Sequence, residues 1–388
     1  MMGKLIIDGI EFKFNSLYKD EVETDEIESS LFNGNKLLTY IETDTITVIN
    51  YGAFLDCNNL STAIFKRLRV IGELAFAGCG FKTIDISSVL SLGIGCFRGS
   101  KIETINLNED MAEIPAEAFR NCKALKAIKL PSSLETIGYR AFRESPVKIE
   151  LPPTIKNIAA QAFFSGGTGE IEISNEVLIG DEAFYGSRFS KIVIKKITNI
   201  TAGLFGRCYF ITAEFENVET IGKEAFAFCR ELVSVYMPKI RKIGNYAFYY
   251  CQKLIITSLP STLEELEDGA FAGCTGLTIT SIPETIKKIG AAAFAGTSIS
   301  IRQFPLSVNR LPDQVIGGCY LITELTLGGK GHPIEYITPY NTSGPSYSMG
   351  SFFDCINLTK LTIYTTGGQA LAGAPWGATN AAITYLPA

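Results

Sequence analysis

One short motif recurs along this chain: an aromatic slot, usually Phe preceded by Ala, is followed three residues later by Cys or another small residue. The slot residues are Phe54, Phe76, Phe97, Phe119, Phe142, Phe163, Phe184, Phe205, Phe226, Phe248, Phe271, Phe294, Ile316 and Phe352. Neighbouring slots are 21 to 23 residues apart, except the last two, which are 36 apart. A fixed period of this length indicates a repeat architecture, so the 388 residues are not divided into ordinary globular domains.

Residues 122–142 show what one unit encodes. Ile128 and Leu130 alternate with polar residues, which predicts a short strand with one buried face. Pro131 then ends the strand, because proline cannot donate a ladder hydrogen bond. The second half, from Ile137 through Gly138 to Phe142, predicts a turn or a single helical turn, with glycine supplying unusual backbone angles.

A single unit of this kind cannot bury its own apolar face, whereas stacked units bury every Leu, Ile and Phe between neighbours. The chain is therefore expected to divide into an N-terminal cap with a hairpin (1–48), repeats (49–327), an irregular insertion loop (328–349), and a last repeat with a C-terminal cap (350–388). The strand register stays open between residues 252 and 305, where Thr257, Thr280 and Arg302 occupy a slot that is usually aliphatic.

The repeated pattern C-x-x-L-x-x-I-x-L-P-x-x-L-x-x-I-G-x-x-A-F-x-x-C resembles the BspA-type leucine-rich repeat over roughly residues 49–363. The resemblance implies an α/β repeat solenoid, a right-handed leucine-rich-repeat coil. Its short parallel strands would stack with turns, 3-10 or one-turn helices in about fourteen repeats. It also implies a bacterial surface protein or a phage- or prophage-borne one, acting in adhesion or ligand binding, with no catalytic residues to transfer.

Composition excludes several other classes of function. The net charge is −5 and the pI about 5.3, so the basic face that nucleic acid binding requires is absent. No run approaches the ~18 apolar residues of a membrane span. The first ten residues lack the apolar core of a secretory signal, so a leader either is absent or was trimmed from this chain.

The ten cysteines follow the repeat rather than a metal or disulfide pattern. Nine lie three residues after a slot residue, and Cys96 takes the Ala position instead. In the other repeats Ser100, Ser145, Gly166, Ser187 and Thr297 fill the same position, which indicates a requirement for a small residue. Buried free thiols are therefore predicted, with disulfides in some coils as the alternative. No C-x-x-C pair exists, and neither a metal nor any other cofactor is expected.

Catalysis is not expected. A Ser-His-Asp or Cys-His arrangement would have to use His332, the single histidine, which lies in the irregular segment. The glycine clusters near Gly166 and Gly328 do not complete a phosphate-binding loop.

Binding residues are expected on exposed faces of the coils. Outward strand positions form a polar, threonine-rich stripe: Thr83, Asp85, Thr104, Asn106, Lys129, Glu170, Glu172, Thr212, Glu214, Ser234, Tyr236, Glu324, Thr326, Lys360 and Thr362. One aromatic cluster is denser than the rest: Tyr209, Phe210, Phe228, Tyr236, Tyr246, Tyr249 and Tyr250. Its residues suit either recognition or core packing.

Two further candidates lie near the C-terminus. The insertion carries His332, Tyr336, Tyr340 and Tyr347, and suits either a ligand-contacting loop or a tolerated surface loop. Trp376 suits either carbohydrate stacking or a cap over the last coil.

These features predict a non-catalytic recognition or adhesion protein. It would bind a host or bacterial surface protein or glycan through an extended solenoid face, as a phage tail receptor-binding component in one setting. The alternatives are a purely structural virion protein, of the tail-fibre or decoration kind, and a secreted cell-surface adhesin with a trimmed leader. The predicted location is thus the virion or the cell surface. The virion setting allows a homo-oligomer, since fibre proteins are usually trimers. Neither nucleic acid nor membrane insertion is expected.

Overall fold

The computed structural model describes residues 3–8, 10–14, 25–341 and 348–388. It contains two compact units, Met1–Ser190 and Lys191–Ala388, each of which is a parallel β-solenoid. The fold is the predicted leucine-rich-repeat solenoid, with about 16 coils. Two coils were not counted from the motif: one carries Phe32, and the other carries Trp376.

The described residues form thirty short strands, most of which belong to the coils. The strands that begin before residue 191 are β1 Gly3–Ile7, β2 Ile10–Phe14, β3 Glu26–Ile27, β4 Tyr40–Thr43, β5 Val48–Ile49, β6 Thr62–Phe65, β7 Val70–Ile71, β8 Thr83–Asp85, β9 Ser91–Leu92, β10 Thr104–Asn106, β11 Glu113–Ile114, β12 Thr136–Ile137, β13 Asn157–Ile158, β14 Thr168–Ile173, β15 Leu178–Ile179 and β16 Arg188–Ile194. The others are β17 Asn199–Ile200, β18 Thr212–Phe215, β19 Thr220–Ile221, β20 Ser234–Tyr236, β21 Lys242–Ile243, β22 Glu265–Leu266, β23 Lys288–Ile289, β24 Arg310–Leu311, β25 Glu324–Leu327, β26 Tyr336–Ile337, β27 Tyr340–Asn341, β28 Ser348–Met349, β29 Lys360–Thr365 and β30 Ala382–Pro387.

Each regular coil has three sides. A first strand follows the Cys position, as β6 follows Cys57, and pairs in parallel with the same strand of a neighbouring coil. A second strand of two residues follows, such as β7, and forms a separate parallel sheet. The third side is the turn that carries the slot residue. We refer to these sides as the first-strand face, the second-strand face and the turn face.

The turn is not helical, although a helical turn was one expectation. Around Phe54, alternate N–H groups bond to the next coil and to the carbonyl three residues back: Phe54 donates to Ala75 at 2.8 Å, and Leu55 to Gly52 at 3.0 Å. An α-helix needs each N–H to bond four residues back, so bonding between coils excludes it. Among the described residues the single helix is a 3-10 turn, Thr366–Gly368.

The recurring glycine after the second strand has a different role from the one predicted. Gly72, Gly138, Gly222, Gly244 and Gly290 all lack a positive φ. A Cβ on Gly138 would instead lie 2.6 Å from the Ala116 nitrogen, and one on Gly72 only 2.8 Å from the Ile49 oxygen. Glycine at this position, directly after the second strand, therefore permits close stacking of the coils. The prediction of unusual backbone angles there is wrong.

Left-handed backbone does occur, but at other positions. In every coil from Phe32 to Phe352 the residues two before and two after the slot have a positive φ, as at Gly52 (56°) and Asp56 (58°). The N–H groups at these positions bond to the next coil, as Gly52 does to Glu73 at 2.9 Å and Asp56 does to Ala77 at 2.7 Å.

The core of each unit is a stack of slot residues. In the first unit, rings from Phe32 to Phe184 stack with centroids 5.1–5.7 Å apart and planes within 10° of parallel. In the second unit, Phe205 to Phe294 form a similar stack. The slot residues from Phe54 to Phe352 are fully buried.

The N-terminal end contains the expected hairpin. Strands β1 and β2 pair antiparallel, and β1 also pairs antiparallel with β4, so the hairpin extends the first-strand sheet. The coil repeat starts before residue 49, since β3 already pairs with β5 and Phe32 stacks on Phe54. The motif search missed this coil because Leu31 stands where most coils have Ala and Asn35 where most have Cys.

The open register between 252 and 305 has a structural explanation. No first strand is formed there, and the coils are joined on that side by isolated bridges, Ile256 to Leu277 and Gln303 to Thr326. Thr257, Thr280 and Arg302 are exposed, while the aliphatic neighbours that remain point inward.

Candidate functional site

The cysteine column is structural. All ten cysteines are buried and free. Most Sγ atoms donate to the carbonyl of a slot residue in the preceding coil, as Cys251 does to Phe226 at 3.0 Å. Ser145 makes the same bond to Phe119 at 2.6 Å, so the position favours a small hydrogen-bond donor. Burial raises the pKa of Cys122 and of Cys319 to about 11, which keeps both thiols protonated and unreactive at neutral pH.

The first-strand face presents the polar stripe that the alternation predicted. Thr83, Asp85, Ser234 and Tyr236 are exposed, while Ile84 between the first two is buried and Val235 between the other two is half-buried. Ion pairs link neighbouring coils across this face, for example Lys129 to Glu109 at 2.5 Å. The face is thus polar and mixed in charge rather than apolar.

Part of the predicted aromatic cluster comes together on the turn face of the second unit. The Tyr249 ring lies 4.6 Å from that of Tyr250 and 5.5 Å from that of Tyr246, edge to face in both pairs. Phe228 lies 5.3 Å from Tyr249 and 6.0 Å from Tyr250. We call these four residues together with Arg207 the aromatic patch, because the Arg207 guanidinium lies over the Phe228 ring at 4.9 Å.

Glycines in the next coil make room for the patch. Gly269 and Gly273 hold the same two turn positions one coil after Tyr246 and Tyr250. A Cβ at Gly269 would meet the Tyr246 ring at 2.4 Å, and one at Gly273 would meet Tyr250 at 3.1 Å. Each ring therefore lies across a bare backbone, while Tyr246 and Tyr250 remain 41% and 39% exposed.

The other members of the predicted cluster lie elsewhere on the coil. Phe210 is fully buried and packs edge to face against Phe205, so it belongs to the core. Tyr236 lies on β20 of the first-strand face, and Tyr209 follows Cys208, three residues before β18; both are exposed. Proximity in sequence therefore overstated the size of the cluster.

Sequence analysis missed Arg207. Residue 207 is two after its slot residue, as Phe228 and Tyr250 are in the following coils. Aligning the repeats by this position would have placed the cation and the two rings in one column.

The insertion is more ordered than a loop. Strand β26 pairs in parallel with β24, and both Ile334 and Ile337 are buried. Tyr336 is exposed, and Arg310 lies over its ring at 5.2 Å. His332 is also exposed and lies in a tight turn in which its N–H donates to Gly329.

Two candidate tyrosines of the insertion cannot be assigned a role from the structure. Tyr340 belongs to β27, which pairs antiparallel with β28, but its side chain lies outside the described residues. Tyr347 itself lies outside them.

Trp376 is a cap and not a surface platform. Its side chain is fully buried, its Nε1–H donates to Ala372 at 2.9 Å, and its ring meets Phe352 edge to face at 6.5 Å. The suggestion that it stacks on carbohydrate is wrong, because no face of the indole is exposed.

Two other classes of feature are absent from the described part of the chain. No group of three or more His, Cys, Asp and Glu side chains there is placed to hold a metal ion. Nor does that part contain a helix of sufficient length and apolarity to cross a membrane.

Known proteins similar to this chain share its repeat. A family model described as the BspA type leucine rich repeat region matches residues 21–98, 90–212 and 198–323, with 6 copies. A leucine-rich repeat protein from Bacteroides ovatus ATCC 8483 has a similar structure, with a TM-score of 0.54, 25% identity, and coverage of 72% of this chain and 82% of that one. The pneumococcal vaccine antigen PcpA shares the fold, with a TM-score of 0.50, 17% identity, and coverage of 84% of this chain and 89% of that one. No curated protein matches in sequence.

Proposed function

Because this chain belongs to the BspA-type leucine-rich repeat family, we propose that it is a non-catalytic recognition protein that binds a protein or glycan at a surface. Proteins of this repeat type offer broad, exposed faces on which many side chains can contact a partner. The aromatic patch is the part of this molecule best suited to that role.

The observation that carries the proposal is that the patch gathers exposed aromatic rings and a cation on one turn face. Tyr246 and Tyr250 are 41% and 39% exposed, and the Arg207 guanidinium lies over the Phe228 ring. Tyr and Arg are enriched among the residues that contribute most to binding energy at interfaces. Phe228, Tyr246 and Tyr250 occupy turn positions that are left-handed in every coil, with φ of 61°, 54° and 56°. Gly269 and Gly273 occupy the positions of Tyr246 and Tyr250 one coil later, so stability alone would favour glycine there.

Replacement of Tyr246 and Tyr250 by glycine tests this role. The Tyr246→Gly/Tyr250→Gly variant removes two rings and also relieves backbone strain, so its melting temperature should equal or exceed that of the wild type. Binding to intact cells that carry the partner should fall at least tenfold, measured by flow cytometry with labelled protein.

Ala292→Gly is the matched control, since Ala292 occupies the same left-handed turn position without an aromatic ring. It should leave binding unchanged. Wild-type affinity in the double variant would show that the patch is not the binding surface.

A second pair of variants tests how far the contact surface extends. Tyr236→Ala and Tyr209→Ala remove exposed rings outside the turn face. A loss of binding in either one, without a change in melting temperature, adds that residue to the recognition surface.

The proposed setting is a bacterial cell surface or a phage tail. Immunogold labelling of producing cells and of induced phage particles separates the two. Label on the envelope supports an adhesin, and label on tails supports a receptor-binding component. A virion that carries the protein but binds host cells equally well without the patch would favour a purely structural role.

A further inference from the structure

The second-strand sheet of the second unit is interrupted between β23 and β24. Strand β23 pairs with β22, and β24 pairs with β26, but β23 and β24 belong to different sheets. In the preceding coil, the Gly290 N–H donates to the Leu266 oxygen at 2.8 Å. Pro312 occupies the position of Gly290 one coil later and has no N–H to donate.

A second proline lies at another interruption of the second-strand sheet. Pro115 occupies the same position of its coil in the first unit, and there too the sheet is interrupted, between β9 and β11. Proline in this position therefore removes one of the hydrogen bonds that join neighbouring coils on the second-strand face.

The two coils remain joined at their turns. The Ala292 N–H donates to Asp313 at 2.8 Å, and the Phe294 N–H donates to Val315 at 3.0 Å. Strand pairing between the two coils is therefore missing only on the second-strand side, where a cavity of about 400 Å³ is present.

The cavity is cationic in a chain whose net charge is −5. Lys287, Lys288 and Arg310 line it, and none of its lining residues is acidic. Lys287 pairs with Glu264 at 2.8 Å and Arg310 with Glu335 at 3.7 Å. Lys288 makes no ion pair within 4.0 Å among the described residues; its charge contributes to lowering the pKa of Glu267 from a greater distance, and its side chain is exposed.

Uncharged groups of the cavity suit a sugar ring. Tyr336 lines it and is 42% exposed. Asn309 and Thr338 also line the cavity and provide an amide and a hydroxyl for contacts with ring hydroxyl groups. Pockets of this kind combine an aromatic surface with a few polar groups that fix the ligand's orientation.

We propose that this cavity binds an acidic saccharide, with a hexuronate carboxylate held by Lys288 and Arg310 and the pyranose ring against Tyr336. The inference rests on the recognition function proposed above and names a ligand class for a second surface of the molecule.

An acidic peptide fits the cavity less well. A peptide would gain affinity by pairing along the free edges of β23 and β24. Each of these strands is two residues long, Lys288–Ile289 and Arg310–Leu311, so few ladder hydrogen bonds could form. A compact ring with one carboxylate uses the cations and the tyrosine without such pairing.

Isothermal titration calorimetry of the full chain tests the proposal with three probes. They are trigalacturonate, the neutral galactose trisaccharide of the same linkage, and a glutamate peptide of equal charge. Trigalacturonate should bind at least tenfold more tightly than either of the others, and added salt should weaken its binding.

The variant Lys288→Gln/Arg310→Gln should lose at least tenfold in affinity for trigalacturonate. Lys223→Gln removes an exposed positive charge outside the cavity and should bind as the wild type does. Tyr336→Ala should lose affinity, and Tyr336→Phe should keep it. If the double variant melts at a lower temperature, Lys288→Gln alone must still lose at least threefold, because this lysine has no ion pair to break.

Equal binding of the neutral trisaccharide, tighter binding of the peptide, or unchanged affinity in the charge variants would overturn the proposal. Its failure is separate from that of the recognition function. If cell binding depends on the aromatic patch but trigalacturonate does not bind, the recognition function is supported and only the saccharide proposal is rejected.

Discussion

A single position three residues after each slot shows how a residue choice follows from one hydrogen bond. Cys, Ser and Thr occupy it in most coils, and Cys251, Cys274 and Ser145 each donate to a slot carbonyl of the preceding coil. Each of these carbonyls also accepts a backbone N–H, as Phe226 does from Cys229 at 3.1 Å, so the side chain adds a second hydrogen bond to a buried acceptor. Small size alone, which the sequence pattern suggested, describes only part of this requirement.

Substitution at Cys251 separates size from hydrogen bonding. Cys251→Ala removes the side-chain donor to the Phe226 carbonyl, which keeps its bond from the Cys229 N–H, and should cost about 0.5–1.5 kcal/mol of unfolding free energy. Cys251→Ser keeps a donor, as Ser145 does naturally, and should cost less. Denaturant unfolding of both variants measures the difference, and greater stability of the alanine variant would contradict the hydrogen-bond account.

The left-handed turn positions make a second prediction at this scale. Ala292 has φ of 52°, whereas the neighbouring Ala293 is buried in the Ala position before Phe294. Ala292→Gly should raise the unfolding free energy by up to about 1 kcal/mol, because glycine adopts this conformation without strain. Ala293→Gly should lower it instead, by loss of core packing. Thermal unfolding of the pair checks both signs, and destabilisation of equal size in both would reject the argument.

At the scale of elements, the turn is the part of the coil that sequence patterns described least well. Its residues are spaced as in a helical turn, but half of its N–H groups bond to the next coil rather than within the segment. The choice between these bonding patterns depends on a neighbouring coil at stacking distance, so local sequence alone does not determine it.

Two glycines of one coil distinguish close approach from left-handed backbone. A Cβ on Gly93 would lie 2.3 Å from the Glu73 nitrogen, whereas Gly99 has φ of 68° and open space around it. Asparagine tolerates left-handed angles better than alanine does. At Gly99, asparagine should therefore destabilise the protein less than alanine.

At Gly93, asparagine should instead destabilise the protein more than alanine does. Its larger side chain meets more backbone, and overpacking costs about 1–3 kcal/mol. Chemical denaturation of the four variants gives the two orders. The same order at both positions would show that the glycines share one role.

At the scale of the whole molecule, the insertion lengthens one coil of the second unit on one side only. The turn of the Ile316 coil bonds directly to the Phe352 coil, with the Gly318 N–H donating to Phe353 at 2.8 Å. The inserted segment therefore emerges on the second-strand side, where Ile334 and Ile337 are buried. This placement brings Tyr336 to the cavity beside Pro312.

Deletion of residues 330–346 should therefore lower the melting temperature by several degrees, since two buried isoleucines are lost. Tyr336→Ala removes an exposed side chain and should change it little. Differential scanning calorimetry of both variants measures the shifts. An unchanged melting temperature after the deletion would show that the insertion is an independent surface loop.

The period of the Phe slots and the alternation around Ile128 and Leu130 were sufficient to establish the solenoid, its core and its outward strand residues. Both patterns reflect burial, which each repeat encodes locally and the neighbouring repeat completes. These patterns could not determine whether the turn is helical, why residue 72 is glycine, or whether Trp376 is exposed. Each depends on which backbone or ring of another coil lies within a few ångströms.

The same reason limits what the sequence revealed about the candidate sites. It identified Tyr246, Tyr249, Tyr250 and Tyr336 as candidates, because tyrosines outside the repeat's core positions are visible in the sequence itself. Only the tertiary structure separated Tyr236 and Phe210 from the aromatic patch. It alone showed the cavity beside Pro312, because the proline is visible in the sequence whereas the residues that line the cavity come together only when the coils pack.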